Sequence, residues 1–335
     1  MAKDIGIDLG TANVLIYVAG KGIVLNEPSV VAVDVKTEKV LSVGSEAYRM
    51  VGRTPSNIRA IRPLKDGVIS DFDVTEKMLS YFINKLNVKG FMSKPKIMIC
   101  APTNITNIER KAIIQAAEKS GGGKVYLEEE PKVAAIGAGM DIFQPRGNMV
   151  IDMGGGTSDI AVISLGDIVA SNSIRVAGDK MNNMIVNYIK DKHGLIIGDH
   201  TAERIKIEIG TAVKDPESEV RTKEVRGRDA LSGMPRSITI NSNEICDALA
   251  DAVSTIVSGA KDVLEVIPPE LASDIVDRGV MLTGGGALLR GIDQRISSEL
   301  TVPVLISEKP LDNVAQGAGA LLEHLNKTED KTKTE

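Results

Sequence analysis

The stretch that most constrains this chain is Val150-Ile151-Asp152-Met153-Gly154-Gly155-Gly156-Thr157-Ser158-Asp159. An apolar run, Met149 to Ile151, enters it, and another, Ile160 to Ile163, leaves it. That pattern reads as strand, tight turn, strand. Three consecutive glycines cost backbone entropy, so something must require them. The usual requirement is a backbone that approaches a ligand with bare N–H groups. Phosphate suits such a turn, because it needs many donors and no side-chain bulk. Asp152 stands just before the turn, where a carboxylate can hold a hydrated Mg2+. Thr157 and Ser158 add hydroxyls. The plain alternative is a β-hairpin that happens to be rich in glycine.

The same design recurs near the start. Ile5-Gly6-Ile7-Asp8-Leu9-Gly10-Thr11-Ala12-Asn13 is followed by the apolar run Val14 to Val18. Two copies of one phosphate hairpin, one in each half, imply an internal duplication. A third glycine turn, Leu282-Thr283-Gly284-Gly285-Gly286-Ala287, follows an apolar strand and precedes a helix expected to begin near Leu288. Two facing hairpins and a glycine turn form an arrangement that clamps a nucleotide between two domains.

A length of 335 residues is enough for two domains, and 43% hydrophobic residues supply their cores. Aromatics are only 3% and tryptophan is absent, so the cores must be aliphatic. The net charge of −5 is spread out and gives no basic face for nucleic acid. Cys100 and Cys246 lie far apart in apolar contexts, as expected of reduced, buried residues. His193, His200 and His324 lack metal-ligand spacing. No N-terminal signal segment is read, and no apolar run approaches the roughly 20 residues of a membrane span.

Taken in order, residues 3–35 read as a β-meander, ending in a strand over Ser29–Asp34, and 36–67 as a small polar insertion with a short helix at Ser45–Met50. Arg53, Arg59, Arg62 and Lys65 make a basic cluster, read as a solvated face ahead of a contact surface. A helix over Val74–Leu86 is capped by Asp71 or Asp73. In the following loop Phe91 and Met92 stand among Lys89, Lys94 and Lys96. Apolar bulk beside basic residues suits an anionic lipid surface; burial in the core is the alternative. A strand at Lys96–Ala101, a helix at Asn107–Ser120 and a strand at Val125–Leu127 lead to Glu128-Glu129-Glu130-Pro131 and a helix over Lys132–Gly139. Acids are favourable at a helix N-terminus; the functional reading is that one of them polarises water for attack on a γ-phosphate.

The second half continues with a strand at Val169–Val176 and helices at Lys180–Lys192 and Thr201–Ile209, the latter capped by Thr201. Glu203 and Lys206 share a face of that helix, as an ion pair or as ligand contacts. Residues 211–243 read as irregular, ending in a strand at Arg236–Ile240. A helix capped by Ser242 or Asn243 runs to Leu264, followed by a helix at Glu270–Val276, a strand at Val302–Ile306 and a closing helix at Asn313–Leu325. The tail Asn326–Glu335 is charged and expected to be disordered.

The blocks IDLGTAN (7–13), GKGIVLNEPSVVA (20–32), GRTP (52–55), RPLKDGVISD (62–71), EEPKVAAIGA (129–138), DMGGGTSDIAVISLG (152–166), SIRVAGD (173–179), AERIKIEIG (202–210), PPELASDI (268–275) and DRGVMLTGGGALLRG (277–291) resemble the actin, Hsp70 and sugar-kinase superfamily. Within it the chain is similar, nearly end to end, to the bacterial actin MreB family. The resemblance implies an α/β actin-like ATPase fold of two duplicated ribonuclease-H-like domains. These would span 1–143, with an insertion at about 35–67, and 144–325, with an insertion at about 181–243. ATP with Mg2+ would lie in the cleft between them.

By that resemblance Asp8 and Asp152 hold the metal through water. Gly10, Thr11, Ala12 and Asn13, with Gly154, Gly155, Gly156 and Thr157, hold the phosphates. Gly178, Glu203, Arg204, Ile205 and Lys206 meet the nucleoside, opposite Gly284, Gly285, Gly286, Ala287 and Leu288. Glu130 polarises the attacking water, and Thr157 assists. Phe91 and Met92 form a membrane-insertion loop. The implied function is slow ATP hydrolysis coupled to paired homopolymeric filaments that set cell shape. The implied setting is the cytoplasmic, anionic inner face of the membrane, beside membrane-bound morphogenetic proteins and without nucleic acid.

Departures centre on Gly178-Asp179-Lys180-Met181-Asn182, where the family usually has Gly-Asp-Glu-Met-Asp. Lys180 and Asn182 remove negative charge close to the expected nucleotide, which puts turnover in question more than binding. The alternatives are a filament scaffold with weak or no ATPase, or a small-molecule kinase of the same superfamily. A kinase needs a catalytic base beside an acceptor pocket, and no Asp outside the nucleotide motifs offers one. An Hsp70-type chaperone needs a peptide-binding domain where this sequence has a short polar tail.

Overall fold

A computed structural model describes residues 3–86, 88 and 93–332. Strands β1 (Ile5–Leu9), β2 (Asn13–Val18) and β3 (Gly22–Pro28) form an antiparallel meander. β4 (Val31–Asp34) does not extend it. It turns away after Pro28 and pairs with β5 (Val40–Val43) and β6 (Ile58–Ile61) in a separate small sheet beside α1 (Ser45–Tyr48). The ladder of β7 (Leu64–Lys65) and β8 (Val68–Ile69) leads to α2 (Phe72–Lys85), whose N-cap Asp71 accepts from the Val74 N–H. β9 (Ile97–Ala101) and β10 (Val125–Glu129) add in parallel beyond β1, with α3 (Asn107–Lys119) as the crossover. α4 (Glu130–Gly137) follows at once, with Pro131 inside its first turn rather than ahead of the helix.

The second half repeats this plan. β11 (Asn148–Met153), β12 (Ser158–Ser164) and β13 (Asp167–Ile174) form the meander. Then come α5 (Gly178–His193), β14 (Leu195–Ile196), α6 (Asp199–Ile209), β15 (Thr222–Asp229), β16 (Pro235–Asn241), α7 (Ser242–Val266) and α8 (Pro269–Arg278). β17 (Val280–Thr283) and β18 (Val304–Ile306), joined through α9 (Ile292–Leu300), add in parallel beyond β11. The two five-stranded sheets therefore have matching orders, β3-β2-β1-β9-β10 and β13-β12-β11-β17-β18. This is the duplication that the two hairpins imply, in the actin-like α/β architecture that the resemblance implies.

Several boundaries differ from the sequence reading. α6 starts at Asp199 behind Gly198, so Thr201 lies inside the helix rather than capping it. α7 is capped by Asn241, with Glu244 completing a capping box, one residue before the expected cap. The segment 211–243 contains a full strand, β15, that carries one buried apolar residue, Val225, and so shows no apolar alternation. No α-helix begins near Leu288. A 3-10 turn at Gly285–Leu288 is broken by extended Leu289 and left-handed Gly291 before α9 starts. Finally α10 runs from Asn313 to Thr332, so the segment read as a disordered tail is helical to Thr332. Its Lys and Glu residues are good helix formers that propagate an established helix. Phe91 and Met92 lie outside the described residues.

Each main sheet is buried on both faces. In β9, Ile97, Ile99 and Ala101 face the core of α2 and α3, while Met98 and Cys100 face a second core. In β11, Met149, Ile151 and Met153 face the core of α5 and α7, while Val150 faces that same second core. The shared core lies between the sheets and is built from α4 and α10, with Val133, Ala134, Val314 and Ala318. Where these helices cross, backbone meets backbone. A methyl group on Gly137 would fall on the Asn313 carbonyl, and one on Gly317 on the Val133 carbonyl.

Helix propensity alone would make Gly→Ala stabilising by about 1 kcal/mol at a helical position. Overpacking against a carbonyl that cannot withdraw outweighs this. Gly137→Ala and Gly317→Ala should each lower stability, by about 2 kcal/mol or more, in denaturant unfolding. An unchanged or raised midpoint would contradict the backbone crossing.

Candidate functional site

The two glycine hairpins meet tip to tip between the sheets. A methyl group on Gly155 would stand 2.7 Å from the Ala12 methyl carbon, and one on Gly156 would stand 2.5 Å from Thr11 Oγ1. Two of the three glycines are therefore required by the facing hairpin itself. Gly154 is less confined: a methyl group there would press only on the Thr157 carbonyl of its own hairpin, at 3.3 Å. Thr11 Oγ1 accepts a 3.0 Å bond from the Gly67 N–H, tying the β7–β8 turn to the first tip. The N–H groups of Gly178 and Asp179 donate to the carbonyls of Gly154 and Gly155 at 3.2 and 2.8 Å. The start of α5 is thus anchored on the second tip.

Beside the tips lies a cavity of about 540 Å3. The first hairpin lines it with Asp8 and Gly10 to Asn13, the second with Asp152 and Gly154 to Thr157. Glu130 enters from the start of α4, Gly178 from α5, and Glu203 and Lys206 from α6. Gly284, Gly285, Gly286 and Leu288 close the far side. These are the residues the sequence nominated, with three exceptions. Ile205 and Ala287 are wholly buried in the core behind the wall, and Arg204 is exposed outside it. The helical repeat explains Arg204 and Ile205, because one face carries positions 203, 206 and 207 and turns 204 and 205 away. That same repeat could have found Ile207, which does line the cavity.

Several other residues line the cavity without having been nominated as site residues. Pro310, Leu311 and Val314 come from the last loop and the start of α10, and Met181 and Asp179 from α5. Asn182, expected close to the nucleotide, does line the cavity, and its buried Oδ1 has no hydrogen-bond partner among the described residues. Lys180, expected beside the nucleotide, is exposed and outside the wall. Arg62, read as part of a solvated basic face, instead reaches Asp179 at 3.6 Å.

The cavity floor concentrates acids. Burial, then the charge of Asp152, raises the Asp8 carboxyl to about 8. Burial and Asp159 raise Asp152 to about 7, against the 2.7 Å bond that the Thr283 hydroxyl donates to its Oδ1. Burial, with repulsion from Asp159, Asp8 and Asp152, pushes Glu130 well up. Burial also raises Asp159, opposed by the nearby hydroxyls of Ser173 and Thr157 and by the Thr103 N–H, which lies 3.4 Å from its Oδ1. A divalent cation relieves this mutual repulsion. Among the described residues no three His, Cys, Asp or Glu side chains converge to ligate a metal directly. The acids fit a cation held through its water shell, the usual habit of Mg2+. At the opposite end Lys206 Nζ donates to the Gly178 carbonyl at 2.9 Å, and burial lowers its pKa.

Raised carboxyl pKa values have a defined consequence for stability. Folded Asp152 holds its proton up to about pH 7, whereas the unfolded carboxyl, with an ordinary value of 3.8, releases it earlier. Stability is therefore fully present below 3.8 and is lost as pH rises to about 7, and to about 8 for Asp8. The cation-free protein should melt higher near pH 5 than near pH 8, and Asp152→Asn should narrow that difference in calorimetric scans. A variant with an unchanged pH dependence would contradict the acid cluster.

A family model described as MreB/Mbl protein matches residues 2–330. The cell shape-determining protein Mbl of Bacillus subtilis (strain 168) is 65% identical over 326 residues, covering 97% of each chain. The cell shape-determining protein MreB of Escherichia coli (strain K12) is 51% identical over 330 residues, covering 97% of this chain and 94% of that one. A crystal structure of MreB5 of Spiroplasma citri bound to AMPPNP superposes with a TM-score of 0.94 at 39% identity, covering 99% of both chains. A family match over nearly the whole length, relatives above half identity and a duplicated fold superposing end to end leave one assignment: the chain belongs to the MreB/Mbl protein family.

Proposed function

We propose that this protein binds Mg-ATP in the cavity between its two lobes, hydrolyses it slowly, and polymerises into filaments that determine cell shape. The observation that carries the reading is the tip-to-tip meeting of two glycine hairpins, each preceded by an aspartate, beside a cavity of about 540 Å3. The AMPPNP-bound MreB5 structure and the names of the Mbl and MreB relatives support it. The lobes correspond to residues 1–143 and 144–325, with insertions at about 35–67 and 181–243.

Backbone N–H groups of the two turns bind the phosphates, and Asp8 and Asp152 accept from the water shell of the cation. A bound Mg2+ supplies positive charge to the phosphate oxygens and to the acid floor. Glu203 and Lys206 hold the polar edge of the nucleoside, with Ile207, Leu288 and Leu311 as its apolar walls. Glu130 accepts a hydrogen bond from the attacking water, and Thr157 positions it. Burial, with the charges of Asp159, Asp8 and Asp152, disfavours the Glu130 carboxylate, so Glu130 orients the water rather than fully deprotonating it, which suits slow turnover. Loss of the γ-phosphate between two lobes alters their closure, and that altered closure switches polymer stability.

The filaments are paired and lie against the anionic inner face of the membrane, beside membrane-bound morphogenetic proteins. Among the described residues no helix is long and apolar enough to cross a membrane. Contact then rests on Phe91 and Met92, between Lys89 and Lys94.

Sedimentation with anionic liposomes, run beside a phosphate-release assay, tests this reading. Wild type should pellet with Mg-ATP. Glu130→Ala should still pellet while releasing phosphate about tenfold to a hundredfold more slowly. Changing Phe91 and Met92 together to Ser should abolish liposome binding only. A protein that stays monomeric under all conditions would contradict the filament, and unchanged phosphate release would retire Glu130.

A further inference from the structure

The cavity is bridged at its outer edge by contacts that the nucleotide motifs do not include. Tyr48, the last residue of α1, belongs to the small sheet of the first lobe and packs against Val30, Ala32 and Ala47. Its hydroxyl crosses to the second lobe and donates to Oε2 of Glu203 on α6. Its carbonyl pairs with His200 Nε2 at 3.1 Å, and its ring stands edge-on to the His200 ring at 4.2 Å. Arg62, also from the first lobe, lies 6.0 Å from the Tyr48 ring and pairs with Asp179 at 3.6 Å. Both carboxylates engaged from across the cleft, Glu203 and Asp179, line the cavity.

We propose that Tyr48 is a positioning residue of the nucleotide site, supplied by the opposite lobe: it orients Glu203 toward the nucleoside and, with Arg62 on Asp179, latches the cleft over the bound ligand. The inference rests on the nucleotide reading above and adds to it a residue that no glycine or acid motif announces. A carboxylate accepts on both oxygens, so the bond from Tyr48 fixes the Glu203 side chain without exhausting it. Burial and the bond to Glu203 hold the Tyr48 phenol well above its ordinary value, so it remains a donor throughout the physiological range. A hydrogen bond from a neutral hydroxyl to a carboxylate is among the stronger kinds. One end of the bond sits on each lobe, so the cleft cannot open without breaking it. A ligand that presents a hydroxyl or amino donor to Glu203 is held by a group the other lobe has already oriented, which lengthens residence rather than speeding arrival.

The test uses the full-length protein, Mg2+ and radiolabelled ATP chased with excess unlabelled ATP. Tyr48→Phe keeps the ring, its packing and its edge contact with His200, and removes only the hydroxyl. It should speed nucleotide dissociation about tenfold, leave the association rate within about twofold, and leave the affinity for inorganic tripolyphosphate unchanged. In a Glu203→Ala background the same substitution should add nothing, because the two groups act as one unit. Arg62→Gln should give a smaller acceleration in the same assay. Unchanged dissociation in Tyr48→Phe, or losses that simply add with those of Glu203→Ala, would overturn the latch while leaving the nucleotide site intact. A weakened tripolyphosphate affinity would show a general structural lesion and would also overturn it. Wild-type protein that binds neither probe would overturn the nucleotide reading and the latch together.

Discussion

Everything in this molecule depends on the crossing of α4 and α10. The two helices lie between the sheets and touch at Gly137 and Gly317, where no side chain fits. Because the backbones approach so closely, Val150, Ala161 and Ile163 of one sheet and Met98 and Cys100 of the other share a single apolar layer. The sheets are thus held apart by little more than one layer of helix. At that spacing the turns following β1 and β11 touch, and two hairpins from distant parts of the sequence become one site. A bulkier crossing would separate the tips and remove the cavity floor.

The contact between tips imposes the second constraint. Gly155 and Gly156 are closed off by Ala12 and Thr11, so the glycines serve the protein's own packing as well as any ligand. The aspartates before the turns are brought near one another at a buried place, together with Glu130 and Asp159. Such a cluster is unfavourable alone and favourable around a cation. The site thus suits an anion and a cation together, which is the pair the proposed metal-bound polyphosphate would bring. The acids destabilise the ligand-free state, a cost that a bound cation removes.

Much of this was legible in the sequence because it is local. Asp8 and Asp152 stand at fixed offsets from their glycines, and the strands on either side are continuous apolar runs. Glu203 and Lys206 share a face by helical spacing, which also explains why Arg204 and Ile205 do not join them. What escaped is non-local or lacks a hydrophobic signature. Strand β15 carries charged residues on both sides of Val225 and is held as a strand by its neighbours β14 and β16. Tyr48 and Arg62 gain their meaning from α6 and α5, more than a hundred positions later, and nothing in their own surroundings points there. The break after Leu288 depends on left-handed Gly291, which one more glycine in a glycine-rich stretch does not reveal.

The most direct test of the central claim, that the facing hairpins and their acids form a site for a cation-bound nucleotide, is calorimetric titration of the full-length protein with ATP, with and without Mg2+. The account predicts binding that is strong only with Mg2+ and that Asp8→Ala or Asp152→Ala weakens by at least about tenfold, since each removes a charge-assisted contact to the hydrated ion. ATP binding of equal strength with and without the metal, and indifferent to both aspartates, would contradict it.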